Sequence, residues 1–258
     1  MGKFTEAIRK AAERRLERVE KKEEVKPYVI RTVADSKVDP HIVTYFDTTS
    51  PVAEQYRILR TNLQAMDKPQ APRTLTITSA IHSEGKTVTA INLAITFARD
   101  LNKKSILLVD GDLRRGTLTK NLGFNPEKGL ADVLNNGTSV EDVLLGIDIE
   151  NLHILPAGHR PHNPAELLGS QKMKALLSEL KQKYDYVFFD TPPIIPVTDA
   201  GLLGAQCDGV LMVLQAGRTQ HGAVIHAQDR LKSVRAKVLG YVMTNIEYHI
   251  PEYIYRYL

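Results

Sequence analysis

One cysteine, Cys207, is the whole thiol content of this 258-residue chain. An intrachain disulfide is thereby excluded, as are the paired cysteines that an iron–sulfur carrier built on a phosphate-binding loop would need. So low a cysteine content also fits a reducing compartment. No uninterrupted apolar run approaches the roughly 18 residues that a membrane span requires. The first residues are charged and do not read as a signal peptide. Together these absences set a cytoplasmic expectation. Charge of one sign is lacking too: 34 basic and 30 acidic side chains leave a net charge of +4, which is too mild to point to nucleic acid as a partner.

Apolar residues, at 43%, are plentiful enough for one α/β-sized domain with an extension. Residues 1–26 are dense in Lys, Arg and Glu, with Phe4, Ile8, Ala12, Leu16 and Val19 at helical intervals. They read as an amphipathic helix with a narrow apolar stripe, either solvated or docked on a partner or membrane surface. The predicted organisation is a charged N-terminal helix and linker arm over residues 1–50, a phosphate-binding domain over 51–246, and a flexible tyrosine-rich tail over 247–258.

The domain is organised around Ser83-Glu84-Gly85-Lys86-Thr87. Leu75-Thr76-Ile77-Thr78 reads as a strand ahead of it, and Ala90 to Ile95 has helical apolar spacing behind it. Strand, tight turn and helix are the context in which Gly-Lys-Thr cradles phosphate, because successive backbone N–H groups and the positive helix end meet at one spot. Backbone from Ser83 to Val88 would hold the phosphates, with Lys86 on the β and γ groups and the Thr87 hydroxyl on Mg²⁺. The usual first glycine is missing: Ala80 stands there.

Further strands are expected at Ser105 to Asp110, Leu152 to Leu155, Tyr186 to Asp190, Gly209 to Leu214 and Val238 to Met243. They are continuous apolar runs, as in parallel strands buried on both faces. One helix is expected from Asn163 to Lys183, with Asn163 as N-cap, Pro164 at its first position and Glu166 completing a capping box. Alternation of this kind predicts an α/β fold with a doubly wound, mostly parallel sheet and helices on both faces. Two of the strands run into aspartates, Asp110-Gly111-Asp112 and Asp190-Thr191-Pro192-Pro193. Carboxylates leaving a buried strand are costly unless a cation meets them, and nucleotide-bound Mg²⁺ would be that cation. Glu54, Arg57 and Arg60 share one helix face, either as solvated ion pairs or as an interface.

These motifs, in this order, resemble the bacterial tyrosine kinases, P-loop enzymes of capsule and exopolysaccharide synthesis. Asp110-Gly111-Asp112-Leu113-Arg114 is similar to the family's second Walker A-like motif. Asp190-Thr191-Pro192-Pro193 looks like its Walker B motif, and Glu54-x-x-Arg57-x-x-Arg60 resembles its oligomerisation motif. Gly129 to Leu134, Leu155 to Gly158 and Asn163 to Leu168 also resemble family segments. The resemblance implies an ATP- and Mg²⁺-dependent protein-tyrosine kinase that phosphorylates its C-terminal tyrosines between subunits. Tyr248, Tyr253, Tyr255 and Tyr257 would be those acceptors. It implies catalytic roles for Lys86, Asp110, Asp112 and Asp190, with Asp110 accepting or orienting the phenolic proton. Asp112, Asp190 and Thr87 would serve the metal, and Asn245 the adenine. It further implies a homo-oligomeric ring, an octamer on the family pattern, and a separate membrane activator or polysaccharide co-polymerase. Such a partner would recruit the protein to the inner face of the cell membrane. The family usually has Pro-Gly where this chain has His82-Ser83, so Ser83 must supply glycine-like backbone. Two rivals remain: an ATPase switch of the Min and Par type, whose signature lysine is replaced by Ile81, and a nucleotide-binding scaffold without kinase activity.

Overall fold

The computed structural model describes residues 38–66 and 72–246. The expected amphipathic helix over 1–26 and the tail tyrosines lie outside these residues. Among the described residues seven strands form one sheet: β1 (Thr74–Ser79), β2 (Ile106–Asp110), β3 (Leu145–Gly146), β4 (Leu152–Leu155), β5 (Tyr186–Asp190), β6 (Gly209–Gln215) and β7 (Val238–Thr244). Their spatial order is β3-β4-β2-β5-β1-β6-β7. All neighbours run parallel except β3, which pairs antiparallel with β4 at the edge. The mostly parallel, doubly wound sheet read from the sequence is therefore present. Strand β3 was not foreseen, because two residues carry no periodicity.

The helices are α1 (Val43–Phe46), α2 (Pro51–Ala65), α3 (Lys86–Ala98), α4 (Leu118–Asn121), α5 (Leu130–Asn136), α6 (Pro164–Gly169), α7 (Gln171–Lys183), α8 (Asp199–Gly204) and α9 (His221–Ser233). Successive strand residues point to opposite faces, and both faces of this sheet are apolar. Leu75, Ile77, Ile106, Leu108 and Phe188 pack toward α3. On the opposite face Leu107, Val109, Val187 and Phe189 meet Leu130, Leu176 and Leu180, while Val210 and Met212 meet Ala227 and Leu231. Strand β1 lies between β5 and β6, so the loop leaving it opens at the middle of the sheet's C-terminal edge, where ligands of such sheets bind.

A single helix over 163–183 is not formed. Ser170 adopts extended backbone (φ −71°, ψ 160°), ends α6 and N-caps α7, its Oγ accepting from the Met173 N–H at 3.1 Å. A serine at that point satisfies an otherwise orphaned donor, and this outweighs the continuity of the apolar pattern. Asn163 makes no side-chain cap; its Nδ2 donates to Glu166 Oε2 at 3.0 Å, while Pro164 holds the first helical position as expected.

Helix α3 has eleven of its thirteen residues buried, which requires a cover on the side away from the sheet. Part of that cover is α2 and part is the segment before it. Ile42 is fully buried, and Asn92 on α3 ties this segment down. Asn92 Oδ1 accepts from the Thr44 N–H and hydroxyl, both at 2.9 Å, and its Nδ2 donates to His41 O at 3.0 Å and Val88 O at 2.9 Å. Replacing Asn92 by Ala leaves several buried polar groups without partners. The expected cost is about 2–3 kcal/mol in chemical denaturation, with faster proteolysis within residues 38–50.

Candidate functional site

The loop from β1 to α3 turns through two residues in left-handed backbone, Ser83 (φ 62°) and Gly85 (φ 89°). Gly85 is required twice over, since a Cβ there would also come within 3.3 Å of Thr244 Cγ2. Ser83 takes the conformation that glycine adopts freely, at a cost of roughly 1 kcal/mol. Arg218 anchors it, NH1 donating to Ser83 O at 2.8 Å and to Gln215 Oε1 at 3.1 Å.

Glu84 points inward, with only 1% of its surface exposed. Its carboxylate accepts from the Ile81 N–H at 2.7 Å, from the Gln215 N–H at 3.4 Å and from the Thr219 hydroxyl, while Thr244 Oγ1 donates to Glu84 O at 2.8 Å. The Glu84 side chain thus braces the loop and offers a phosphate only its backbone N–H. No side chain caps the α3 N-terminus. The first-turn N–H groups of Lys86, Thr87 and Val88 have no intrahelical partner, as in any α-helix, and the macrodipole adds positive potential there. Asn245 follows Thr244 directly, in left-handed backbone (φ 53°) and exposed, so it stands beside the same loop.

Lys86 lies between two of the strand-end carboxylates. Its Nζ is 3.5 Å from Asp190 Oδ1 and 3.7 Å from Asp112 Oδ2, and it donates to Thr87 Oγ1 at 3.2 Å. Asp110 is the register partner of Asp190 across the parallel pair β2 and β5. Asp110, Asp112 and Asp190 are each no more than 2% exposed. Burial, then repulsion from Asp190 and Asp112, pushes the Asp110 carboxyl well above the ordinary aspartate range, against the Leu118 N–H and Lys86, which pull it down. Burial raises Asp190 as well, with Lys86 opposing. Three carboxylates thus face one ammonium, and the site is short of positive charge.

The residues fit a divalent cation. Among the described residues the buried Asp190 oxygens have no close hydrogen-bond donor beyond Lys86 at 3.5 Å and the neighbouring Thr87 hydroxyl, which leaves them room for a cation. Among the described residues no three His, Cys, Asp or Glu side chains form a ready metal cage. Mg²⁺ is ordinarily held by one or two carboxylates together with substrate phosphates rather than by such a cage. Asp110 differs from the other two: its Oδ1 accepts from the Asp112 N–H and its Oδ2 from the Leu118 N–H, both at 3.1 Å. It shapes the loop that carries Asp112.

Two supports of that loop were not legible in the sequence. Asp112 Oδ1 accepts from the Arg114 and Arg115 N–H groups at 3.3 and 3.1 Å. The Arg114 guanidinium then forks onto the fully buried Asp199, with Nε to Oδ2 at 2.8 Å and NH2 to Oδ1 at 2.9 Å. Eighty-five residues separate that pair, and nothing local announces it. Glu54, Arg57 and Arg60 are not brought to the site. Arg57 Nε donates to Glu54 Oε2 at 2.7 Å, and Arg60 NH1 donates to Thr96 O at 2.9 Å, near the far end of α3. Ten residues along the helix put that end about 15 Å from Lys86.

The charge imbalance has a measurable sign. A carboxyl whose proton affinity is raised on folding costs stability as pH climbs from its ordinary value of 3.8 through the raised one. Asp190→Asn is therefore expected to stabilise the nucleotide-free protein at neutral pH. The gain should shrink as pH falls toward 4. Chemical denaturation in chelator across pH checks this, and a variant less stable at neutral pH contradicts it.

Comparison with known proteins agrees with this geometry. Residues 74–238 match the family model described as an AAA domain. The chain is 36% identical over 214 residues to tyrosine-protein kinase YwqD of Bacillus subtilis (strain 168), covering 83% of this chain and 90% of that one. It is 32% identical over 197 residues to the putative tyrosine-protein kinase CapB of Staphylococcus aureus, covering 76% and 86%. The kinase domain of the Escherichia coli tyrosine kinase ETK superposes with a TM-score of 0.73 at 28% identity, covering 81% of this chain and 83% of that one. With likeness running through most of both chains, this chain belongs to the family of bacterial tyrosine-protein kinases.

Proposed function

We propose that the protein is an ATP-dependent protein-tyrosine kinase whose acceptors are the tyrosines of its own C-terminal segment, Tyr248, Tyr253, Tyr255 and Tyr257, modified between subunits. One observation carries the reading: Lys86 is flanked by Asp112 and Asp190 at the mouth of an uncapped phosphate loop. Such a site binds a polyphosphate by its backbone and supplies acidic groups where a hydroxyl would have to approach.

Backbone N–H groups from Ser83 to Val88 hold the phosphates, and Lys86 offsets charge that develops on the transferred group. In phosphoryl transfer, positioning and electrostatics supply most of the acceleration. Thr87, Asp112 and Asp190 would hold Mg²⁺, which when bound supplies charge neutralisation at the phosphates. Asp110 accepts or orients the phenolic proton; its raised proton affinity suits the task. Asn245 serves the adenine, beside the loop. In the transfer, the bond from the γ phosphorus to the bridging oxygen breaks as the phenolic oxygen bonds to phosphorus. ADP leaves and the phenolic proton passes to carboxylate and then to water.

No helix among the described residues is long and apolar enough to cross a membrane. In this reading the protein works in the cytoplasm at the inner membrane face, recruited by a separate membrane activator or polysaccharide co-polymerase, and regulates capsule or exopolysaccharide synthesis and export. It assembles as a ring through Glu54, Arg57 and Arg60. Their pairing within the chain would have to be exchanged for pairing across the interface.

The test is intact mass and peptide mapping after incubation with Mg-ATP, beside Lys86→Met. Phosphate additions at the four tail tyrosines are expected in the wild type, reduced at least about 100-fold in the variant. ATP turnover with no modified tyrosine contradicts the proposal.

A further inference from the structure

Strand β4 lies beside β2 in the sheet, and the loops leaving the two strands touch. A Cβ on Gly116 would sit 3.2 Å from the Ala157 methyl, and Gly116 follows the Asp112–Arg115 turn directly. The loop that opens at Ala157 therefore leaves beside the turn that carries Asp112, on the side of β2 away from the phosphate loop.

This border is a built surface. The N–H groups of Leu130 and Ala131 donate to Pro156 O at 2.7 Å and Ala157 O at 2.9 Å. Gly129 and Gly158 approach so closely that a Cβ on either would come within about 2.5 Å of the other's backbone nitrogen, at 2.5 and 2.4 Å. Asp132, 4% exposed, then locks the loop. It accepts from the Gly129 N–H at 2.9 Å and the His159 N–H at 3.2 Å, and meets His159 Nδ1 at 2.7 Å. Burial would push the Asp132 carboxyl up, but these hydrogen bonds outweigh it and hold it below the ordinary range. The carboxylate fixes an imidazole whose side chain remains 64% exposed.

Arg160 and His162 follow His159 on this loop, and Arg115 and Lys128 directly precede Gly116 and Gly129, the two glycines that touch it; all four are exposed. Among the described residues none of these four is paired with a carboxylate. Two acids lie close in sequence. Glu166 is engaged by Asn163 Nδ2, and Glu127 leaves the balance positive. Next to a centre dominated by carboxylates, an unpaired basic rim on a locked loop needs an anionic complement.

We infer that this rim, resting on the kinase reading above, recognises acidic residues beside the acceptor tyrosine and so sets the order in which tyrosines are used. The chain supplies the complement itself. Tyr248 is preceded by Glu247 and Tyr253 by Glu252, whereas Tyr255 and Tyr257 flank Arg256. Glutamate immediately before the tyrosine meets Arg160 and His159, and Arg256 between Tyr255 and Tyr257 is repelled. Tyr248 and Tyr253 are then modified ahead of Tyr255 and Tyr257.

Two synthetic peptides test this, identical except for Glu-Tyr in one and Lys-Tyr in the other, with full-length protein and Mg-ATP. The wild type is expected to favour the Glu-Tyr peptide about tenfold in kcat/KM, through KM, as a few solvent-facing ion pairs provide together. Arg160→Glu should erase or invert that ratio while KM for ATP is unchanged, and His159→Ala should reduce it. Time-resolved mapping of the tail should show Tyr248 and Tyr253 filling first in the wild type only. Equal use of both peptides, a ratio untouched by Arg160→Glu, or earlier filling of Tyr255 and Tyr257 overturns the inference while leaving the kinase reading intact. If the wild type modifies neither peptide nor its own tail, the kinase reading fails and the rim's role falls with it.

Discussion

Three buried carboxylates crowd one lysine at the C-terminal edge of the sheet, and much of the remaining structure exists to hold them there. Asp110 and Asp190 end adjacent parallel strands in register, so their separation is set by the ladder and neither can retreat without breaking it. Lys86 is fixed from the other side as the first residue of α3, a helix packed on the sheet and covered by α2 and the segment around Ile42. The arrangement is poor for stability, since desolvated like charges oppose one another. It is good for binding a nucleotide with its cation, which brings the missing positive charge. Strain of this kind at a site is the usual form of the exchange between stability and function.

Three clasps keep the crowded groups in place. Glu84 turns its carboxylate under the phosphate loop and ties it to β6, so the loop's shape is fixed before any phosphate arrives. Arg114 reaches across to Asp199 and joins the Asp112 loop to α8. Asp132 fastens the loop after β4 to α5. Each clasp uses a buried carboxylate as acceptor, and each acts on a loop leaving a different strand. Preorganisation of this sort lowers the ordering cost at binding, which is where electrostatic catalysis gains its advantage.

Much of this was legible in the sequence, and for identifiable reasons. Both-face burial makes a parallel strand a continuous apolar run, so β2, β4, β5 and β6 could be placed to within a residue or so, while β7, half-buried to exposed at the sheet edge, showed through its apolar composition alone. The phosphate loop was readable because its chemistry needs adjacent residues: Gly85, Lys86 and Thr87 act together and lie together. The need for left-handed backbone at Ser83 followed from the same local logic. What could not be read depends on partners far apart in the chain. Arg114 with Asp199 and His159 with Asp132 are tertiary matches with no local signature. Glu84 looked like part of the binding loop, and only the neighbouring β6 shows that its side chain faces the other way. The break at Ser170 was hidden because the apolar spacing continues through it, while one hydroxyl cap decides the backbone.

The account rests on the claim that this site is short of one divalent cation's charge. Calorimetric titration of ADP into the full-length protein, with Mg²⁺ and then with chelator, addresses it most directly. The charge imbalance predicts binding that weakens at least about tenfold without Mg²⁺, with much of that dependence lost in Asp112→Asn. Equal ADP affinity with and without Mg²⁺ in the wild type would contradict it.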